Sequence, residues 1–392
     1  MSHETSTTST VDDLAGLRRG RIAITAIFLV FGVAIGTWAA HIPIVQTRLA
    51  LGPAMLGLAL LGAAAGTIIA QPLLGALIAR VGSRRPLMIL AVLTIIALPL
   101  AVFAPSIVLF FLVQPFVGAV IGGLNVAMNT QANEIEVRRG RPTMSSFHAG
   151  ASYGMLGGSA LSGVLLSIGW THGEAALAMA AGQLVVAILV MRWAIADPPQ
   201  ARGPVFVVPS RAVFGLGALA FLMFIIEGGM VDWSALFLAT QKAAEPGLAA
   251  IGFALFTGAM AIGRTFGNEV VTRLGRWPTV CLGGSLVALG ILLAIAAPNP
   301  WIAAACFALA GLGSANVVPI LMSAAAQTPG LAPSVAIGAV ATMLTAGFLV
   351  GPPLIGFIAE ATSLTVGIAV LALAGFVVAL AALPRLRTTA AT

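Results

Sequence analysis

Long unbroken apolar runs, each near twenty residues and separated by short polar turns, dominate the pattern along these 392 residues. Twelve stand out, over roughly 22–46, 53–79, 86–104, 106–130, 147–169, 174–195, 213–238, 249–272, 278–297, 301–323, 334–358 and 364–383. None shows the ten-residue alternation of a membrane barrel. A helix of about twenty residues crosses the roughly 30 Å of bilayer hydrocarbon, and only helices and closed barrels satisfy their backbone hydrogen bonds there. The pattern therefore predicts an all-α polytopic membrane protein with twelve transmembrane helices.

Composition supports the same class. Hydrophobic residues make up 59% of the chain and charged ones 8%, against about 25% charged in soluble domains. Placement of the basic residues predicts the orientation. With the N-terminus inside, sixteen of the nineteen Lys and Arg fall in cytoplasmic segments, leaving only Arg48, Lys242 and the intramembrane Arg264. Both termini are then cytoplasmic, as an even number of spans requires. The net charge of +7 is accounted for by the inner leaflet, with no nucleic-acid partner. Residues 1–17 read as a mobile polar tail rather than a cleaved signal peptide. Cys281 and Cys306 lie in spans and read as small packing residues.

Glycines reveal a repeat. Gly154, Gly158 and Gly163 in the fifth span recur as Gly347, Gly351 and Gly356 in the eleventh, each 193 residues later. The same offset carries Arg80 and Gly82 of "RVGSR" onto Arg273 and Gly275 of "RLGRW". The chain thus divides into a cytoplasmic tail (1–21), a six-helix bundle (22–195), a cytoplasmic linker (196–212), a second, pseudo-symmetric six-helix bundle (213–383) and a short cytoplasmic tail (384–392). Paired glycines such as Gly32/Gly36, Gly62/Gly66 and Gly118/Gly122 suit close helix crossings. Repeated halves of this kind point to a transporter with its site near the midplane between them.

The run "GALIARVGSRRP" at 75–86 resembles the loop signature of the major facilitator superfamily, through Gly75, Arg80, Gly82, Arg84 and Arg85. Ala79 stands where that signature has an acid, and Ser83 where a basic residue is common. "NVAMNTQANEIE", "MSSFHAGASYGMLGG" and "EGGMVDWSALFL" resemble the fucose-permease-like, YbjJ-type bacterial branch. The resemblance implies twelve helices in two bundles, a bacterial inner-membrane location, and an inner gate at the 75–86 loop and its repeat around Arg273 and Gly275. It also implies that spans one, four, seven and ten line the cavity.

Ionisable groups at a helix centre cost about 2.5–3.5 kcal/mol on insertion scales, so they need a partner, a cavity or a function. Glu227 is the single deep carboxylate, roughly 21 Å along its span, and Arg264 lies roughly 13 Å above the cytoplasmic face by the same rise per residue. A direct pair therefore requires tilt and the reach of the arginine. The alternatives for Glu227 are a proton acceptor or ligand for a polar substrate, and a structural partner for Arg264. Asp232 and Trp233 read as an outer rim, the indole suiting an interfacial belt. Uncharged candidates for the substrate cavity are Trp38, His41, Asn125, Asn129, Tyr153 and Asn316, with interhelical hydrogen bonding as the plain alternative. Fucose-permease-type symporters carry acids in their first and fourth spans. Here those spans hold His41, Asn125 and Asn129, which leaves Glu227 as the leading titrating group.

The expected function is secondary active transport of a small polar, sugar-like solute by alternating access, driven by the proton gradient, in a monomer. Proton-coupled efflux of amphipathic compounds and a non-transporting receptor or scaffold are the alternatives. No HExxH or Walker pattern occurs, and the run Gly150–Gly154, though it reads GxSxG, falls inside the fifth apolar span rather than at a strand-to-helix elbow, so neither an enzyme, a metal nor a cofactor is expected.

Overall fold

The computed structural model describes residues 4–140, 143–196, 211–331 and 333–389, and every regular element among them is a helix. The first bundle comprises α1 (Glu4–Arg48), α2 (Pro53–Val81), α3 (Arg84–Val102), α4 (Ile107–Arg139), α5 (Met144–Ser167) and α6 (His172–Met191). The second comprises α7 (Arg211–Gln241), α8 (Pro246–Thr265), α9 (Gly267–Leu274), α10 (Arg276–Ala296), α11 (Pro300–Ser314), α12 (Val317–Ala326), α13 (Pro333–Ala361) and α14 (Leu364–Thr389). Fourteen helices build twelve spans because the eighth breaks at Phe266 and the tenth at Ala315–Asn316. Eleven spans are long and apolar enough to cross a membrane, and the glycine- and serine-rich α5 supplies the twelfth. The protein is thus an all-helical polytopic membrane protein.

Two boundaries differ from the sequence reading. α1 begins at Glu4, within the stretch read as a polar tail, which contains no proline to stop a helix. α14 likewise continues through the second tail to Thr389. Most of the linker, residues 197–210, lies outside the described residues, as does Arg141.

Helix starts follow local chemistry. Proline occupies the first helical position of α2, α8 and α11, where its missing N–H has no intrahelical partner to lose. Thr171 and Glu174 form a reciprocal capping box at the start of α6. Ser106 and Asn299 accept hydrogen bonds from Leu109 N (3.3 Å) and Ile302 N (3.0 Å) at the starts of α4 and α11.

The 193-residue offset extends well beyond the glycines that revealed it. Gly82 (φ 78°, ψ 164°) and Gly275 (φ 86°, ψ 163°) share one backbone conformation, and their N–H groups close onto Ile78 O and Val271 O, again 193 apart. At α2–α4, Gly118 presses on the Ala63 carbonyl so closely that a Cβ would overlap it; at α8–α11, Gly311 meets the Phe256 carbonyl in the same way. α1 packs on α5 as α7 packs on α13, and α3–α6 corresponds to α10–α14. Small residues let these backbones approach, because in lipid association rests on packing rather than on expulsion of water.

The bundles meet along two seams related by the same offset, α5 with α8 and α13 with α2. Gly163 lies against Gly247 and Ala250, while Gly356 lies against Pro53 and Gly57. Ser159 Oγ donates to Ala250 O at 2.6 Å. These seams sit at the end opposite the arginine-rich turns. An apolar core joins Trp38, Leu56 and Phe110 of the first bundle to the whole second bundle. At the arginine-rich end, Ile24, Phe28, Ile78, Leu87 and Phe147 form a separate core confined to the first bundle. In this conformation the closest backbone contacts between the bundles, at Gly163 and Gly356, lie at one end.

Candidate functional site

Glu227 lies midway along α7, where Gly228 faces Phe348 and Gly229 faces Leu371 and Ile355. Its Oε2 is 3.5 Å from Arg264 Nη2, with the two side chains 18% and 23% exposed. The rise-per-residue count from Arg273 treated span eight as one straight helix. The break at Phe266, two residues after Arg264, means the span is not one straight helix, and the pair forms. Glu227 Oε1 is buried and has no hydrogen-bond partner.

Arg264 has two further partners on different elements. Its Nη1 donates to Ser152 Oγ of α5 at 3.0 Å, across the interface between the bundles. Its Nε donates to Ala315 O at 3.3 Å, a carbonyl at the break between α11 and α12, where intrahelical acceptors go unused. The two broken spans interlock there. Asn316 Nδ2 donates to Gly263 O at 3.1 Å, and its Oδ1 lies over Gly267, where a Cβ would collide with it. Beside Ser152, the Tyr153 hydroxyl meets Thr265 Oγ1 at 3.2 Å. Ser152 Oγ donates in turn to His148 O at 3.3 Å. The guanidinium thus ties α5 of one bundle to α7 and the span-ten break of the other. A partly desolvated pair of this kind depends strongly on its partners staying in place.

The structure therefore brings together Glu227, Arg264, Tyr153 and Asn316. Ser152, Thr265 and the Ala315 carbonyl were missed by the sequence reading. Ser152 was hinted at only by its spacing of four from His148, and the carbonyl became available through a helix break no single residue announces. Asn125 and Asn129 do not join this group. Asn129 Nδ2 donates to Asn125 O (2.8 Å) and Oδ1 (3.3 Å) along α4. His41 is sealed, its ring nitrogens facing Thr37 O (2.7 Å) and His172 O (3.2 Å), which stitches α1 to the start of α6. Trp38 stacks on Phe110 with centroids 6.3 Å apart and lines a small void with α3 and α6. The Asn125/Asn316 relation, at 191 residues, falls off the 193 register, in which Asn316 matches Gly123.

Asp232 and Trp233 are buried, 5% and 0% exposed, rather than presented at a rim. The indole packs inward because the Gly356 backbone leaves room for its edge. At the arginine-rich end, Arg80, Arg84 and Arg85 are exposed, as is Arg273, which is paired with Glu269 at 2.5 Å. Gly75 is loosely packed near Val126. Buried Ser83 accepts from Gln131 Nε2 (2.7 Å), and Gln131 also bonds Ile195 O (2.7 Å) and Ile195 N (3.1 Å). Arg276, the repeat match of Ser83, donates to Gln327 Oε1 at 2.6 Å. Both turns are thus fastened to the end of a neighbouring span within their own bundle. No cluster of metal-ligating side chains occurs among the described residues.

Comparison with known proteins bears on these features. A model of the Major Facilitator Superfamily matches residues 22–332. An uncharacterised MFS-type transporter of Yersinia pestis is 36% identical over 348 residues, 88% of this chain and 90% of the relative. Membrane protein MosC of Rhizobium meliloti is 33% identical over 368 residues, 92% and 89%. A crystal structure of the nucleoside transporter NupG superposes with a TM-score of 0.74 at 14% identity, covering 94% of this chain and 99% of that one.

Proposed function

The chain belongs to the Major Facilitator Superfamily and is a secondary membrane transporter working by alternating access; on that premise we propose that it moves a small polar, sugar-like solute coupled to the proton gradient. The observation that carries the coupling is the Glu227–Arg264 pair, held against Ser152 of the opposite bundle. An intramembrane acid marks a pathway by default, and this one keeps a buried oxygen without a partner. Protonating Glu227 weakens its hold on Arg264, and Arg264 is the group that bridges the bundles. Proton binding thereby changes the contact that alternating access must break and remake. Structural need is a poor explanation for the pair. At the matching repeat positions the first bundle has Ala34 and Gln71, and it builds the same helix crossings without charge.

The polar solute is supported by the hydroxyl and amide groups around the pair and by the fucose-permease-like motifs. NupG, a nucleoside transporter, shares the fold alone. The basic residues of the turns support cytoplasmic termini and a bacterial inner-membrane location. The protein acts as a monomer with a cavity opening towards the arginine-rich end.

Reconstitution into proteoliposomes tests this reading. Counterflow with sugars, nucleosides, sugar acids and common drugs identifies the solute and separates uptake of polar solutes from efflux of amphipathic ones. Glu227→Gln is expected to retain counterflow while losing at least tenfold of pH-driven accumulation. Equal accumulation by both proteins would remove Glu227 from the coupling. Exchange of no solute by folded protein would favour a receptor.

A further inference from the structure

Asp232 takes no part in the site just described. Its residue is 5% exposed, and no hydrogen bond or ion pair reaches it among the described residues. The adjacent Trp233 is fully buried, with its indole Nε1 also unpartnered. Trp233 lies behind the α2–α13 seam, and Asp232 directly precedes it on α7. A Cβ built on Gly356 would be 3.3 Å from the Trp233 ring edge, 3.1 Å from Gly57 Cα and 2.6 Å from Pro53 O. That glycine is therefore a thin wall, with the indole on one face and α2 on the other.

Titratable groups on the elements packed against α7 are engaged elsewhere or stand apart. On α1, His41 bonds two carbonyls and Arg48 donates to Val102 O at 2.6 Å. On α8, Arg264 is committed to Glu227, and Glu245 stands exposed before the first turn. Glu360 of α13 accepts from Ala54 N at 3.3 Å, across the same seam. Lys242, directly after α7, donates to Ile295 O and Ala297 O. Cys306 of α11 is half-buried and unpaired. No cation thus stands ready to compensate a carboxylate at position 232. The repeat supplies an internal control, because the matching residue of the first bundle is Ala39, itself fully buried. The helix crossing does not need an acid there.

We propose that Asp232 is a second proton-binding site, sealed with its proton while the α2–α13 seam is shut and exchanging that proton with the aqueous phase at that end when the seam parts. The step is a simple ionisation: the carboxyl O–H bond breaks, the proton passes to water, and the carboxylate remains. An unpaired charge behind a closed seam is strongly unfavourable, so loss of the proton favours the open seam. Glu227 then serves the centre and Asp232 the far gate, on one helix. This role in transport rests on the proton-coupled reading; the infrared measurement that tests it does not require transport.

Infrared difference spectra of the reconstituted Glu227→Gln protein should show a protonated-carboxyl band at neutral pH. The band should vanish in Glu227→Gln/Asp232→Asn and persist, shifted, in Glu227→Gln/Asp232→Glu. Absence of the band, or its survival in the Asn variant, overturns the assignment. Asp232→Ala reproduces the residue used by the first bundle and serves if the Asn variant fails to fold. Spin labels at the exposed positions Met55 and Thr362, with Cys281 and Cys306 replaced, report the seam. Raising pH should lengthen their separation, and Asp232→Asn should abolish that change; an unchanged pH response refutes the gating. If sodium at fixed pH removes the band, the site binds a metal cation and the proton assignment is wrong. Glu227→Gln protein that still accumulates solute would remove the central coupling site while leaving the infrared result for Asp232 standing.

Discussion

The Arg264 hub can be weighed by a double-mutant cycle with Glu227. At 3.5 Å, two unit charges attract by about 5 kcal/mol at an effective dielectric near 20. Both side chains keep about a fifth of their exposure, so screening reduces the net coupling to about 2 kcal/mol. Arg264→Ala also removes the bonds to Ser152 Oγ and Ala315 O and leaves Glu227 without a counter-charge, which together cost about 4 kcal/mol. Glu227→Ala alone costs about 2 kcal/mol, since Arg264 keeps two of its three partners. The double variant should therefore lie near 4 kcal/mol, not near the sum of the singles. Reversible unfolding in mixed micelles of increasing SDS fraction measures all four proteins. Additivity within about 0.5 kcal/mol would show that the pair is a proximity without energetic content. It would also withdraw the argument that protonating Glu227 loosens the bridge.

Three further outcomes follow from backbone geometry and packing. Gly275→Ala and Gly82→Ala force a side chain into a backbone region used almost only by glycine, so each should cost about 1–3 kcal/mol by the same unfolding assay. Gly157→Ala, with open space where its Cβ would lie, should be neutral or slightly stabilising. Gln131→Ala should cost about 1–3 kcal/mol by stranding buried partners and should accelerate amide exchange at Ile195, whose N–H it accepts. Unchanged exchange there would show that the clamp does not hold the end of α6.

Much of the architecture was legible because it is encoded locally. Helix length against bilayer thickness is read from any one run without knowledge of its neighbours. The glycine repeat was equally plain, because a close crossing needs its small residues at the contact itself. The 193-residue offset found in five positions then accounted for both seams and both turns.

What the sequence left open is non-local. Whether Glu227 meets Arg264 depended on breaks at Phe266 and Ala315–Asn316, which set the height of one helix against another. These breaks bring the Ala315 carbonyl to the guanidinium, and no spacing rule relates position 315 to 264. Trp233 invited an interfacial reading from its residue type, yet the bare backbone of Gly356, 123 residues later in the chain, lets the indole turn inward. That the hydrogen bonds of Asn125 and His41 close within the first bundle was equally beyond the sequence. Sequence alone determined the spans, the two halves and which residues are chemically costly in lipid. Only the tertiary structure decided which of those residues meet, because partner choice depends on helix tilt, breakage and depth, and these are set by contacts between segments.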